Sequence, residues 1–412
     1  MQKGQLIHFL YVITVFFMVF DGVRSRLVFG AILSPLRDIA WVALLGICLI
    51  NNRFRVSSRA FNIGIWLFFG YLALFSSVSV VGAIFNSFFG LTIFLKYFQF
   101  PIFLLLFLNY EHLTNFPYEK LIRITVRLMV LFVYVNIIFF TVDFHIFDRF
   151  RPWYGRISHG YPTMDCITLC YGLILYLFSN VKNDSKMKFI FVFFTFLLGI
   201  GMQVTGTGSV ALLFILLGVF ILFILDKHFF LENKRKSMVL VLLFFLCCFW
   251  GGIMVLKQTS PLLFEKIQNV AISKIQILTG EGASTVNNTV DIRKEQYELA
   301  KRRFVKNEIE ATFGVGTGRF LLSTTRSDRI FIENQFDANL IAFGFVGEAF
   351  FLFMIFCMFL EAFQLRLWRY RMYMLLITLV FAFNSYTLIS LYLFSNACGI
   401  AFVYGFYRKN YI

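Results

Sequence analysis

Long apolar runs separated by short charged stretches set the pattern of this chain. A soluble helix would show an apolar stripe opposite a polar face, and a half-buried strand would alternate. Neither pattern dominates here; many runs reach the roughly 20 residues that cross a bilayer. Lipid admits only helices or closed barrels, because every backbone polar group must be satisfied within the protein. A barrel strand alternates in polarity, so continuous runs predict helices. Hydropathy places about 12 spans. They are Leu6–Phe20, Ile39–Ile50, Ala60–Ser77, Phe85–Leu108, Ile122–Val142, Cys166–Ser179, Phe189–Val204, Val210–Leu225, Met238–Val255, Ala338–Leu360, Met372–Leu391 and Phe394–Phe406. The expected fold is an all-α polytopic membrane helix bundle, one transmembrane domain over residues 1–412. Leu6–Phe20 lacks a small-residue cleavage site and reads as a first span, not a signal peptide.

The charges between the runs orient them. Arg53, Arg55 and Arg59 share one connection, and Lys182, Lys186 and Lys188 another. Lys227, Lys234, Arg235 and Lys236 form a third cluster, Arg366, Arg369 and Arg371 a fourth, and Arg408 and Lys409 end the chain. If the spans alternate, all fall on one side. The positive-inside rule makes that side cytoplasmic, with both termini inside. The same rule accounts for much of the net charge of +16, which in a soluble protein would suggest nucleic acid; no nucleic-acid partner is expected. Asp21 and Asp38 flank the first external connection and read either as helix-end residues or as the acid of a different glycosyltransferase plan. Lys96 is the main charge inside a run. The seven Cys lie in or beside apolar runs without paired CxxC sets and read as small buried apolar residues.

Two sizeable external loops remain, 143–165 and 257–337. Both break the expectation of weak cationic bias outside, with Arg149, Arg151, Arg156, Arg293, Arg302, Arg303, Arg319, Arg326 and Arg329. Topology does not explain arginines there; they call for an anionic partner. Arg24, Arg26 and Arg37, in the first external connection, either join that site or count against the orientation. In the longer loop, TGEGASTVNNT (279–289) reads as a flexible turn and DIRKEQYELAKRRFV (291–305) as a helix at the membrane surface.

The guanidinium of Arg is permanently charged and pairs two N–H groups with phosphate oxygens, so external arginines suit a diphosphate at the interface. In FGVGTGRF (313–320), Gly314, Gly316 and Gly318 allow close backbone approach. That segment is either an anion nest or a tight turn returning to the membrane. Arg156 opens RISHGYP just before a span and either binds an anion or snorkels to the interface. Glu333 and Asp337 stand one helical turn apart at a span entrance. They are either functional carboxylates or anions complementing a helix N-terminus.

GVGTGRF, the following ENQFDANLIAFGFVG and the RISHGYP loop together resemble the bacterial O-antigen polymerase and ligase superfamily. The match runs in order through Arg156, Arg293, Gly314 with Gly316, and Asn334 to Gly347. Ligases usually carry His where Glu333 stands, and many members carry Ser–Arg in the span holding TGTGS (205–209), where no Arg is present. These departures favour the polymerase. The resemblance implies a fold like that of lipid-phosphosugar glycosyltransferases and a transfer of glycan from undecaprenyl diphosphate to a lipid-linked repeat unit. Arg156, Arg293, Arg319, Arg326, Arg329 and Gly316 would bind the diphosphate; Glu333, with Asp337 second, would be the base. No DxD motif lies in the external loops, so the expected enzyme is metal-independent and needs no cofactor. Its expected partners are the lipid-linked oligosaccharide, membrane lipid and a chain-length regulator protein; its expected place is the bacterial inner membrane. The alternatives are the O-antigen ligase and a flippase of lipid-linked glycans. A flippase would place charges along an internal path through its spans.

The orientation has a direct check. A phosphatase reporter fused after Lys234 should be inactive and one fused after Asn287 active; the reverse pattern would overturn the assignment.

Overall fold

The computed structural model describes residues 3–26, 30–50, 62–86, 95–142, 162–179, 185–203, 206–225, 296–302, 305–316, 334–365, 367–388 and 390–411, with residue 332 and isolated positions between 251 and 265. Among these, every regular element is helical. The helices are α1 (Lys3–Arg26), α2 (Gly30–Ile50), α3 (Ile63–Asn86), α4 (Gln99–Leu108), α5 (Tyr110–Thr114), α6 (Tyr118–Val142), α7 (Pro162–Phe178), α8 (Lys186–Met202), α9 (Gly206–Leu225), α10 (Glu308–Phe313), α11 (Gln335–Gln364), α12 (Trp368–Thr387) and α13 (Phe394–Tyr411). Four stretches, Gly4–Gly22, Leu33–Ile50, Tyr118–Ile138 and Gln335–Gln364, are long and apolar enough to cross a membrane. Ile63–Leu74, Gln99–Leu108, Thr163–Phe178, Met187–Gly201 and Val210–Leu222 are shorter apolar helices. The fold is that of an all-helical membrane protein.

Contacts between helix ends define two ends of the bundle. At one, Gly4 packs on the backbone of Thr114, Lys409 pairs with Glu111, and Arg408 pairs with Glu361. The first helix begins there and the last one finishes there, so this is the terminal end. At the opposite, distal end, Arg37 of α2 bonds Asp21 of α1 and lies over the Phe394 ring that opens α13. The intervening helices alternate between the two. α7 pairs with α8 in antiparallel fashion, with Cys166 near Ile200 and Tyr176 stacked on Phe189. α9 runs antiparallel to α12, with Phe214 against Phe383 and Gly218 against Leu376. The chain therefore leaves α9 at the terminal end and enters α11 at the distal end. It changes ends between 225 and 334, where the expected span Met238–Val255 lies outside the described residues.

Several boundaries differ from the hydropathy reading. α2 begins at Gly30, not Ile39, because Arg37 is folded inward onto Asp21 and Asp38 rather than ending the helix. α7 begins at Pro162, so Asp165 is not a loop residue; it is buried in the first turn of α7, against Gly22 of α1. Within the expected surface helix 291–305, residues 296–302 are helical; Leu299 faces outward and Ala300 is fully buried.

The largest departure is in α11, which Gly344 breaks with φ 67° and ψ −170°. In a continuous helix the carbonyls of Ile341, Ala342 and Phe343 would accept from the residues four positions on. The break removes those donors, and a membrane interior supplies no water to replace them. Other parts of the chain do. Val315 N–H donates to Ile341 O at 3.0 Å and Gly316 N–H to Ala342 O at 2.8 Å. The Tyr71 hydroxyl donates to Phe343 O at 2.9 Å. Gly314, at φ 84°, lies so close that a Cβ on it would strike the Ala342 and Phe343 backbone, and one on Gly344 would strike Gly314 and Thr312.

Gly344→Ala should therefore lower the thermal stability of the purified protein in detergent. The backbone at Gly344 is one that a side chain adopts at a cost of about 1–3 kcal/mol, before the collision is counted. Gly70→Ala, where the added methyl meets nothing within 4 Å, is the control. Equal melting temperatures for the two variants would show that the break is not rigid.

Candidate functional site

The distal end collects polar side chains around the first half of α11. Asn334 caps the helix: its Oδ1 accepts from Asp337 N–H at 2.7 Å, and its Nδ2 donates to Asp337 Oδ2 at 2.5 Å. This reciprocal pairing ties down the first turn, much as a capping box does. The i, i+4 spacing puts Gln335 and Asn339 on one face, and Gln335 Nε2 donates to Asn339 Oδ1 at 2.8 Å. Gln335 Oε1 accepts from Leu391 N–H at 3.1 Å. That bond fastens the link between α12 and α13 to α11. The Ser385 and Ser390 hydroxyls pair across the same link at 2.7 Å.

Glu348 lies just past the break, in the first turn of the second half of α11. It is 7% exposed, and its Oε2 reaches no hydrogen-bond partner. The Asn339 amide stands beside it, with Nδ2 also unpartnered. A buried carboxylate without a cation costs several kcal/mol. Glu348 is thus either kept protonated or held for a ligand that supplies a donor.

Two described parts of the long loop, 296–302 and 305–316, lie by the first half of α11. Burial, then the Asp337 and Glu298 carboxylates, raise the Tyr297 phenol above its usual value, which sets the 296–302 helix beside the α11 cap. Lys301 and Arg302 on that helix are exposed. Asn307 caps α10 by accepting from Glu310 N–H at 2.8 Å, and the Glu310 carboxylate accepts from Lys306 N–H at 2.7 Å. α10 then delivers Gly314 to Gly316 onto the broken helix.

Of the residues expected to act, the structure describes two, Gly316 and Asp337, and brings their segments together. Both have structural work to do. The Gly316 N–H is given to Ala342 O, so it is not offered to an anion; the segment is the tight turn of the two readings, with Gly318 outside the described residues. Asp337 is held by the Asn334 cap. Arg156, Arg293, Arg319, Arg326, Arg329 and Glu333 lie outside the described residues. Sequence reading passed over Gln335, Asn339 and Glu348. The i, i+4 amide spacing was a visible signal for the first two, and a carboxylate within an apolar run for the third. No group of three or more His, Cys, Asp or Glu side chains among the described residues is arranged to hold a metal.

A second polar group lies deeper among α1, α2, α7 and α13. Arg37 Nη1 bonds Asp21 Oδ1 at 3.0 Å and Nε bonds Asp38 Oδ1 at 2.8 Å. Arg37 is therefore an internal cation, and neither of the alternatives left open for it, an external anion ligand or evidence against the orientation, is needed.

Removing one member of this pair should be costly. Arg37→Ala should destabilise by about 3–5 kcal/mol, since it strands a buried carboxylate, whereas Arg37→Met with Asp21→Leu should recover much of the loss. Denaturation of the purified variants in detergent measures both, and equal losses would show that the pair is solvated.

No protein-family model and no curated protein matches the chain.

Proposed function

We propose that this protein polymerises a bacterial surface polysaccharide, transferring a growing glycan from undecaprenyl diphosphate to a lipid-linked repeat unit. One observation carries the reading. Three successive segments, the helix 296–302 that follows Arg293, the Gly314–Gly316 turn and the Asn334–Gly344 half-helix, come together at the distal end of an apolar bundle. The last two belong to the stretches on which the resemblance to the O-antigen polymerases rests, and the first follows the matched Arg293; the RISHGYP loop, which completes that match, lies outside the described residues except for Pro162. In this reading the bundle has about 12 spans, both termini are cytoplasmic, and the distal end faces outward from the bacterial inner membrane. A chain-length regulator protein acts beside it.

The reaction breaks the bond between the donor's anomeric carbon and the diphosphate oxygen and forms a bond from that carbon to an acceptor hydroxyl oxygen. The hydroxyl proton passes to a carboxylate, and undecaprenyl diphosphate leaves. Arg156, Arg293, Arg319, Arg326 and Arg329 would stabilise the charge that develops on the diphosphate, without a metal. Glu333 is the first choice of base, because the Asp337 carboxylate is occupied by the helix cap. The turn at Gly316 would position the segment leading to Arg319. Ligation of glycan to lipid A core is the alternative transfer; the Glu in place of the ligase His argues against it.

A flippase of lipid-linked glycans gains one specific observation, the buried carboxylates Glu348 and Glu361 within a single helix. Glu361 is already paired with Arg408 and Tyr404, which leaves Glu348 as the one carboxylate of the pair without a cation.

Surface glycan ladders from a deletion strain complemented with variants test the proposal. Glu333→Gln should nearly abolish chains longer than one repeat, and Asp337→Asn should do less. Arg156→Lys and Arg293→Lys should each cost about ten- to a hundredfold in turnover, the worth of one buried charge-assisted hydrogen bond. A full ladder in Glu333→Gln at equal protein abundance would remove the base. Loss of every external intermediate in the deletion strain would make the protein a flippase, and accumulation of lipid-linked polymer a ligase.

A further inference from the structure

Lys96 is a charge that neither the ion pairs of the bundle nor the proposed chemistry uses. It sits on the helical turn 95–97 that precedes α4 and is half-buried. Its ammonium donates to the Tyr392 hydroxyl at 3.3 Å and lies 4.8 Å from the centre of the Tyr392 ring. No carboxylate stands within 4.0 Å of it among the described residues. Its neighbours place it at the distal end, beside the break. Tyr97, 2% exposed, packs edge-on against Phe343, the last residue before Gly344, with ring centres 5.3 Å apart, and against Tyr392 at 5.8 Å. Leu391, next to Tyr392, is the residue bonded to Gln335. Lys96 thus stands where α4, the link before α13 and the first half of α11 meet.

An ammonium has three donors, and one hydroxyl uses one of them. A ring face compensates a cation only partly. A cation at the edge of a membrane-spanning bundle usually escapes by snorkelling outward along lipid. Here the side chain is turned over Tyr392, and the aromatic contacts of Tyr97 hold the turn that carries it. The positive-inside rule gives no reason for a lysine at this end either. What would complete its coordination is an oxyanion. Tyr392 is suited to assist, because a phenol that accepts from the ammonium can donate its own proton to the same anion. The chemistry of a point charge with a flexible stem beside an aromatic hydroxyl is that of a phosphate site that follows a moving group.

We propose that Lys96, with Tyr392, binds a phosphate group at the distal end of the bundle, that of the diphosphate joining the glycan to its polyprenyl carrier. The identification of the carrier rests on the proposed function; the phosphate site itself does not.

The test uses full-length protein in nanodiscs of zwitterionic lipid. Binding of farnesyl diphosphate is followed by thermophoresis, with inorganic diphosphate as a competitor and nanodiscs enriched in phosphatidylglycerol as a second arm. Wild type should bind farnesyl diphosphate, inorganic diphosphate should compete, and Lys96→Met should weaken binding tenfold or more. Tyr392→Phe should weaken it severalfold, and Lys96→Arg should retain most of it. If binding is abolished by phosphatidylglycerol and inorganic diphosphate does not compete, the site holds a phospholipid headgroup, and the assignment to the carrier diphosphate is overturned. Unchanged binding in both Lys96→Met and Tyr392→Phe overturns the site altogether. Melting temperatures guard against misfolding: if Lys96→Met is unstable, Tyr392→Phe and Lys96→Gln decide, and binding at wild-type strength in both overturns the site. Glycan ladders separate this proposal from the polymerase reading. A Lys96→Met protein that has lost diphosphate binding in a strain whose deletion leaves ladders intact keeps the site and sinks the polymerase. A polymerase whose diphosphate affinity ignores Lys96 does the opposite.

Discussion

A helix broken inside a membrane protein must find new partners for the carbonyls it orphans, and the distal end of this bundle is organised around that requirement. Gly344 stops the hydrogen-bond ladder of α11, and three carbonyls need donors that lipid cannot give. Two come from the Val315 and Gly316 amides and one from the Tyr71 hydroxyl. The backbones of Gly314 and Gly344 touch, which is why neither position admits a side chain. Everything that gives this end its chemical character follows from the same junction. The turn from α10 must approach, the cap at Asn334 must fix the entering half-helix, and Gln335 must hold the link before α13. Because the ladder restarts after Gly344, Glu348 falls in the first turn of a new half-helix.

The two ends handle charge differently. At the terminal end, the Glu361 carboxylate accepts from the Tyr404 hydroxyl and pairs with Arg408, and Asn62 donates to the same hydroxyl at 3.2 Å. Lys409 pairs with Glu111, which also accepts from Tyr118 N–H at 2.6 Å. Each of these four ions meets a counter-ion within the protein and fastens α11, α13 and the α5–α6 corner, while Arg369 and Arg371 at the same end donate to the Phe178 and Leu365 carbonyls. Deeper at the distal end the Arg37–Asp21 pair is likewise complete. Above it, Glu348 and Lys96 have no counter-ion among the described residues. Buried ion pairs contribute little net stability but cost much when broken, so complete pairs suit a scaffold. Uncompensated charges beside a break suit a ligand.

Hydropathy was enough to read the bundle and most of its helices, because the cost of exposing a peptide group to lipid leaves long apolar helices as the one open-chain solution. It failed where charge is neutralised inside. Arg37 and Asp38 ended the apolar run on paper and so shortened α2, although the pairing with Asp21 carries the helix through. It also hid Glu348, since one carboxylate in the apolar run Ala338–Leu360 scarcely alters an average. The glycines of FGVGTG were legible as a place of close approach, but not what approaches. A glycine pattern fixes the backbone's freedom, not its partner, and the partner is the carbonyl row of α11, more than 20 positions further along. For Asp337 the sequence left open a functional carboxylate or an anion complementing a helix N-terminus; its bond to the Asn334 cap was not legible, because a side-chain orientation is not encoded in the pattern.

The bonds around the break leave a consequence for chemistry at this end. Asp337 gives one oxygen to Asn334, and Gly316 gives its N–H to Ala342, so two groups that sequence put forward for catalysis and anion binding are occupied by the fold. Groups that hold the scaffold are poor choices for a reaction, because using them means breaking it. Among the described groups with spare capacity, Asn339 Nδ2, Glu348 Oε2 and the remaining donors of Lys96 lie near the break. They comprise a neutral donor, a carboxyl and a cation, gathered around the first half of α11. The cap and the glycine turn are therefore the frame of this end, and Asn339, Glu348 and Lys96 stand beside that frame, not in it.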